Sequence, residues 1–142
     1  MSRRNDRFIA FTLVYERDFH NWQDLDEAAE YYIEELGEDD CERAFIFNEI
    51  KGVLQHKADI DALVEKHSKD WDISRLNRVD LAILRLAIYE MRFSPEIHES
   101  IAINEAVELA KQYSSDEAGR FINGILGNIS REEAKNDSTQ II

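Results

Sequence analysis

An all-α fold is predicted for this chain: one compact domain of about seven helices in two packed halves around a central buried helix. Three observations carry the prediction. Residues 77–93, NRVDLAILRLAIYEMRF, are apolar around almost the whole helical circumference, with Arg85 and Arg92 marking the one clear polar stripe. A helix apolar on nearly every side must be surrounded by partners, since each large side chain it buries is worth roughly 1.5–3 kcal/mol. Elsewhere apolar residues recur at helical spacing, and no segment alternates with period two well enough to be a strand. One proline and five glycines in 142 residues leave few natural breaks, which favours long helices.

Taken in order, the first helix is expected over about residues 4–19, where Phe8, Phe11, Tyr15 and Phe19 share a face with Leu13 and Val14. A second runs from Asp24 or Asp26 to residue 36, with Leu25, Ala28, Ala29, Tyr32 and Ile33 inward and Gly37 placed to cap it. A third begins near Asp39, carries Cys41, Ala44, Phe45, Asn48 and Val53, and continues through Ile60, Leu63 and Val64. Gly52 within it marks a close helix contact or a bend. Residues 68–76 change character, with Trp71, Ile73 and Leu76 anchoring a short seam between the halves. The central helix follows, with Asn77 as N-cap and Asp80 in its first turn, and Ser94-Pro95 ends it. Another helix over 101–113 turns Ala102, Ile103, Ala106, Val107, Leu109 and Ala110 inward. Ser115 opens the last, whose apolar set is Phe121, Ile122, Ile125, Leu126 and Ile129. Gly119, Gly124 and Gly127 lower its helix propensity by about 1 kcal/mol each, which implies close packing or backbone access to a ligand. The domain is expected to span 1–135, its halves about 1–70 and 71–135, with a frayed tail over 136–142.

Composition narrows the function. A single cysteine, Cys41, has no partner within the chain and fits a reducing cytoplasm; its place on an apolar stripe makes it packing. The apolar run 8–15 is short for a signal core and is followed by Glu16, Arg17 and Asp18, and no stretch approaches the roughly 18 apolar residues of a membrane span. Net charge is −13, from 30 acids and 17 bases, which as a bulk property opposes nucleic-acid binding. The distribution is uneven. Arg3, Arg4 and Arg7 face only Asp6 at the N-terminus, so a small basic tip sits on an acidic body. Those arginines occupy the helix end where the dipole disfavours cations, and are either an inconsequential terminus or a site for an outside anion.

Catalytic and cofactor signatures are sparse. There is no phosphate loop, and none of His20, His56, His67 or His98 has the Glu three residues earlier that a bundle-borne di-iron site would use. No metal or cofactor is expected, and an enzyme is disfavoured.

Three blocks carry a family resemblance. They are RVDLAILRLAIYE at 78–90, AINEAVELAK at 102–111 and RFINGIL at 120–126. In order and spacing they resemble the bacterial transcription antitermination factors of the NusB family, a likeness that extends from residue 3 to about 131. The resemblance implies an all-helical, non-catalytic adaptor. It would bind a single-stranded boxA-type RNA element in ribosomal RNA leaders together with the small-subunit ribosomal protein NusE. It would act on RNA polymerase indirectly, through other Nus factors, and self-association into a homodimer is open. An interaction module with weakened or absent RNA binding is the alternative.

Residue by residue, the resemblance places RNA contacts at Arg3, Arg4 and Arg7 and, in the third block, at Arg120, Phe121 and Asn123. Asn5 and Asp6 interrupt the arginine cluster, which implies fewer phosphate contacts. Phe121 is either an exposed ring that stacks on an unpaired base or a core residue. The protein-partner surface maps onto Tyr15, Asp80, Asp116 and Glu117, where acidity would steer a basic ribosomal protein. Asp80 also serves as an ordinary helix-start acid.

Overall fold

The computed structural model describes residues 3–68 and 72–140, with side chains through residue 132. Trp71, expected to anchor the seam, and residues 141–142 of the expected tail lie outside the described residues. The elements are α1 (Arg3–Arg17), α2 (Leu25–Leu36), α3 (Arg43–Gln55), α4 (Lys57–His67), a 3-10 turn (Ile73–Arg75), α5 (Arg78–Phe93), α6 (Glu99–Tyr113) and α7 (Asp116–Gln140). Among the described residues there is no strand, and no helix is long and apolar enough to cross a membrane.

The central helix is α5. It packs against α1, α3, α4, α6 and α7, and everything from Leu81 to Ile88 is buried. Its start is set as expected: the Asn77 side chain accepts from the amides of Val79 and Asp80. Its end precedes Ser94-Pro95. Helices α1, α2 and α3 form one half, α5, α6 and α7 the other, and α4 lies across α5 and α7. One hydrophobic cluster runs through both halves.

Helix boundaries differ from the sequence expectation at several points: α1 ends at Arg17 rather than 19, which leaves Phe19 exposed beyond it instead of on the inner face, and α6 starts at Glu99 rather than 101. The third helix begins only at Arg43, so Cys41 lies just before it, and the chain breaks again at His56, making α3 and α4 separate helices. Ile46, Ile50, Val53, Ile60 and Val64 keep helical spacing across that break, so periodicity does not register it. What holds the bend is tertiary: the His56 ring stacks on Phe93 at 3.8 Å with the planes 7° apart. The buried face of α3 is also rotated from the expected one. Ala44 and Asn48 are exposed, whereas Ile46, Glu49, Ile50 and Val53 are buried.

Arg85 is not part of a solvent stripe. Its side chain is buried and clamps two other helices to α5, meeting Asp18 at 3.1 Å and Asp61 at 2.9 Å. A second buried pair joins α1 to α5: Arg7 donates through Nε and Nη2 to both oxygens of Glu90 at 2.9–3.1 Å. Glu49 of α3 completes this cluster. Burial first, then a hydrogen bond to Glu90 and the charge of that carboxylate, push Glu49 up to about 10, against the opposing pull of Arg7. Glu49 therefore enters the neutral-pH fold protonated, beside Glu90.

The glycines divide by what surrounds them. A Cβ on Gly52 would lie 2.1–2.6 Å from the Tyr89 ring, so glycine is what lets α3 reach α5. A Cβ on Gly119 would meet Lys111 Cγ at 3.2 Å and Val107 at 3.7 Å, the close approach of α7 to α6. Gly124 faces open space.

Three predictions follow from the buried cluster and the glycines. Because folding raises the proton affinity of Glu49, stability should fall as pH rises from the unfolded carboxylate range, near 4.5, towards 10, by up to about 1.4 kcal/mol per pH unit. Glu49→Gln, whose amide can still donate to Glu90, should flatten that slope in denaturant titrations from pH 6 to 9; an unchanged slope refutes the protonated carboxyl. In the same assay Gly52→Ala should destabilise by about 1–3 kcal/mol through overpacking. Gly124→Ala should stabilise by about 0.5–1 kcal/mol through helix propensity.

Candidate nucleic-acid interface and docking cleft

Helix α1 presents its first turn beside α6, and the three arginines there have different environments. Arg4 is 72% exposed in its side chain and donates from Nε and Nη2 to Glu105 of α6, at 3.1 and 2.8 Å. Arg3 pairs with Glu42 at 2.8 Å, and its guanidinium lies 3.9 Å from the centre of the Phe45 ring. Arg7 points inward: its side chain is 6% exposed and its guanidinium is held by Glu90, with Glu105 at 3.5 Å. Arg7 still lines the groove between α1 and α6, but its guanidinium is engaged by Glu90, so meeting a phosphate would uncover that carboxylate.

A groove of about 340 Å³ runs between α1 and α6, lined by Arg4, Asn5, Phe8, Glu105, Glu108 and Tyr113 among others. Its apolar wall is an aromatic set: Tyr113 stacks on Phe8 at 5.2 Å and on Phe11 at 5.9 Å. Phe8 and Tyr113 were not candidates from sequence. Phe8 belongs to the apolar stripe of α1 and reads as core; only the position of α6 turns the pair into a surface.

A second groove, of about 350 Å³, lies between α6 and α7. Arg120 and Asn123, one turn apart on α7, line it with Asn104, Val107, Glu108 and Lys111. Glu108 lines both grooves, so they meet along the exposed face of α6. Gly119 lines the second as well, the same residue that brings α7 close to α6. Positive side chains thus flank α6 on either side: Arg4 from α1, and Lys111 with Arg120 at the α7 edge.

Phe121 does not join them. It is half-buried against the core and lines a third cleft, of about 400 Å³, with Arg75, Asn77, Asp80, Ser114 and Glu117. The helix starts build this cleft. Asn77 caps α5 and brings Asp80 into its first turn, while the Ser115 hydroxyl accepts from the Ala118 amide at 2.9 Å and opens α7 beside Asp116 and Glu117. Asp80 is buried, and its Oδ1 has no partner among the described residues. Burial raises its proton affinity, opposed by a hydrogen bond from Ser114. Asp116 and Glu117 are exposed. Tyr15 does not line the cleft; it is half-buried, with its ring 5.1 Å from Phe19. Just past the end of α1, Asp18 reaches Arg78 at 3.8 Å, which joins the Tyr15 end of α1 to the start of α5. Of the expected partner residues, Asp80 and Glu117 share this cleft, in the company of Phe121, an expected RNA contact.

Comparison with known proteins identifies relatives of this arrangement. The chain is 46% identical over 129 residues to the transcription antitermination protein NusB of Acetivibrio thermocellus, covering 91% of this chain and 88% of that one. Its fold is similar to that of T. maritima NusB, with a TM-score of 0.83 and 32% identity over 93% of this chain and 92% of the other. It is also similar to a chain in the crystal structure of antitermination factors NusB and NusE in complex with dsRNA, with a TM-score of 0.82 and 27% identity over 92% and 96% of the two chains. The NusB family model matches residues 4–131, and on that span the chain belongs to the NusB family.

Proposed function

We propose that this chain is a transcription antitermination factor that binds boxA-type RNA together with the ribosomal protein NusE. In this reading it serves as a non-catalytic adaptor on RNA polymerase in the cytoplasm. One observation supports the reading beyond family membership: grooves that bring Arg4, Lys111 and Arg120 together with Glu105 and Glu108 run along α6, beside a cleft that holds Arg75, Asp80 and Glu117. The grooves along α6 offer guanidinium groups, an amide and stacked rings. The neighbouring cleft offers a buried carboxylate, Asp80, and an exposed one, Glu117. A similar chain occurs in a crystal structure of antitermination factors NusB and NusE in complex with dsRNA.

In this reading Arg3, Arg4, Lys111 and Arg120 meet phosphates, Asn123 contributes an amide, and the Phe8–Tyr113 pair takes an unpaired base, with stacking worth about 1–3 kcal/mol. A base can reach that pair only from a single strand, which fits a boxA-type element rather than a continuous duplex. Arg7 acts behind them, holding α1 in place through Glu90. Asp80, Asp116 and Glu117 receive the basic ribosomal protein, with Tyr15 at the far margin and Phe121 on the cleft wall. The acidic body steers that partner, and the long-range attraction should weaken as salt rises.

Titrating boxA-like RNA with the protein, alone and with NusE, at two salt concentrations tests the reading. Binding no tighter than to a scrambled RNA, with NusE present, overturns it. Arg3→Ala with Arg4→Ala should weaken RNA binding and reduce its salt dependence while NusE binding stays within about twofold. Asp80→Asn should do the opposite, sparing RNA and weakening NusE.

A further outcome follows from the Arg4–Glu105 pair. That carboxylate occupies the guanidinium edge a phosphate would need, so RNA must displace it. Glu105→Gln should therefore tighten RNA binding several-fold at low salt. Unchanged or weaker binding would show that Arg4 is not a phosphate contact.

A further inference from the structure

The end of α1 opposite the arginines carries a surface that neither RNA nor the Asp80 cleft uses. After Arg17 the chain leaves the helix and crosses to α2, and His20, Trp22, Gln23, Asp24, Glu27, Tyr31 and Tyr32 enclose a groove of about 580 Å³. Its aromatic wall is continuous. His20 and Trp22 are parallel at 5.9 Å, Trp22 meets Tyr32 at 6.1 Å, and Tyr32 meets the edge of Tyr31 at 5.3 Å. Phe19 and Tyr31 are 55% and 58% exposed, among the most exposed large apolar side chains in the described residues. Rings left in water side by side mark a contact surface more often than decoration.

The charged side chains that line the groove are acidic. Asp24 and Glu27 line the groove. Glu16 stands behind it, paired with His20 Nε2 at 3.2 Å and close enough to hold the Tyr32 hydroxyl proton more tightly, after burial, the larger cause. Glu34, a turn beyond Tyr31 on α2, is exposed. No lysine or arginine lines the groove; Arg17 donates to the His20 carbonyl from its edge. Nucleic acid is disfavoured here, because the carboxylates would repel phosphate. Electron-rich ring faces beside carboxylates suit a cation carried on an apolar stem.

We propose that this groove docks a basic peptide segment of a protein partner, laying an arginine or lysine side chain across the Trp22–Tyr31–Tyr32 rings with its charged head towards Asp24 and Glu27. Two features favour a protein segment. The charge complements a basic chain, and the exposed Phe19, next in sequence to His20, packs on Tyr15 at the margin of the proposed NusE surface. The fifteen residues of α1 put this groove roughly 20 Å from Arg3 and Arg4, so a peptide here need not compete with RNA. The inference does not rest on the RNA reading and can fail separately from it.

The test uses the full chain and a fluorescent ten-residue peptide of alternating arginine and glycine, with a norleucine–glycine peptide as the neutral control. Wild-type protein should bind the arginine peptide at least tenfold more tightly than the control, with the Trp22 indole resonance shifting on titration. Tyr31→Ala should weaken binding about tenfold and Glu27→Gln several-fold. Asp59→Asn, which removes an exposed acid from α4, should change it less than twofold. Boxa-like RNA binding should be the same in Tyr31→Ala as in wild type. Equal losses in Glu27→Gln and Asp59→Asn would reduce the effect to bulk charge and overturn the proposal. So would equal binding of the norleucine peptide, unchanged binding in Tyr31→Ala, or self-association of the wild type that Tyr31→Ala abolishes, which would make a second copy the occupant.

Discussion

The fold depends on a charge cluster where three helices meet. Arg7 of α1, Glu90 of α5 and Glu49 of α3 are all buried, and Arg7 and Glu90 are joined by a forked pair of hydrogen bonds. Two acids and one base would leave a net negative charge in the interior, which the low-dielectric surroundings would not tolerate. A proton on Glu49 resolves it. The forked Arg7–Glu90 pair then fixes how α1 lies against α5. Removing one member would strand a charge, typically a loss of about 3–5 kcal/mol, whereas an apolar replacement of the whole set need not destabilise. Such a cluster contributes orientation more than stability. Orientation is what the first turn of α1 requires, because Arg3 and Arg4 project from the helix that Arg7 anchors.

The same pairing of guanidinium and carboxylate recurs outward from this point with falling burial. Arg85 clamps Asp18 and Asp61 in a nearly buried setting, Arg4 meets Glu105 at the surface, and Arg3 meets Glu42 in the open. Burial decides what each pair can do. A solvated pair is worth about 0–1 kcal/mol and exchanges readily for another anion. A buried one does not exchange. The N-terminal arginines are therefore graded from structural to available within a single turn of helix, and the acidic body keeps the available ones occupied until a stronger anion arrives.

Much of the scaffold was legible in the residues. The girth of 77–93, the Asn77 cap, the stop at Ser94-Pro95 and the apolar set of α7 all rest on local rules of periodicity and capping, and local rules need no knowledge of neighbours. Gly52 was readable as a close contact or a bend, and its contact proved to be with Tyr89. The His56 break was not readable, because the apolar spacing runs through it and the stacking partner, Phe93, is far along the chain. Glu49 hid the true face of α3, since an acid at a core position looks like solvent-facing sequence. Among the candidate site residues, Arg120 and Asn123 share a groove, whereas Phe121 between them turns to the Asp80 cleft. A helix separates neighbours in sequence by about 100° around its axis, so a contiguous motif is divided between two surfaces.

What the chain determined by itself was the set of helices and the family, because both are written in short-range pattern: apolar spacing, caps, and motif blocks in order. Tertiary structure alone decided which charges are buried. Arg7, Arg85, Glu49 and Glu90 carry the same groups as the solvated acids and bases around them, and nothing within a few residues distinguishes them. Their roles follow from the helices that close over them, since desolvation is a property of surroundings rather than of the residue.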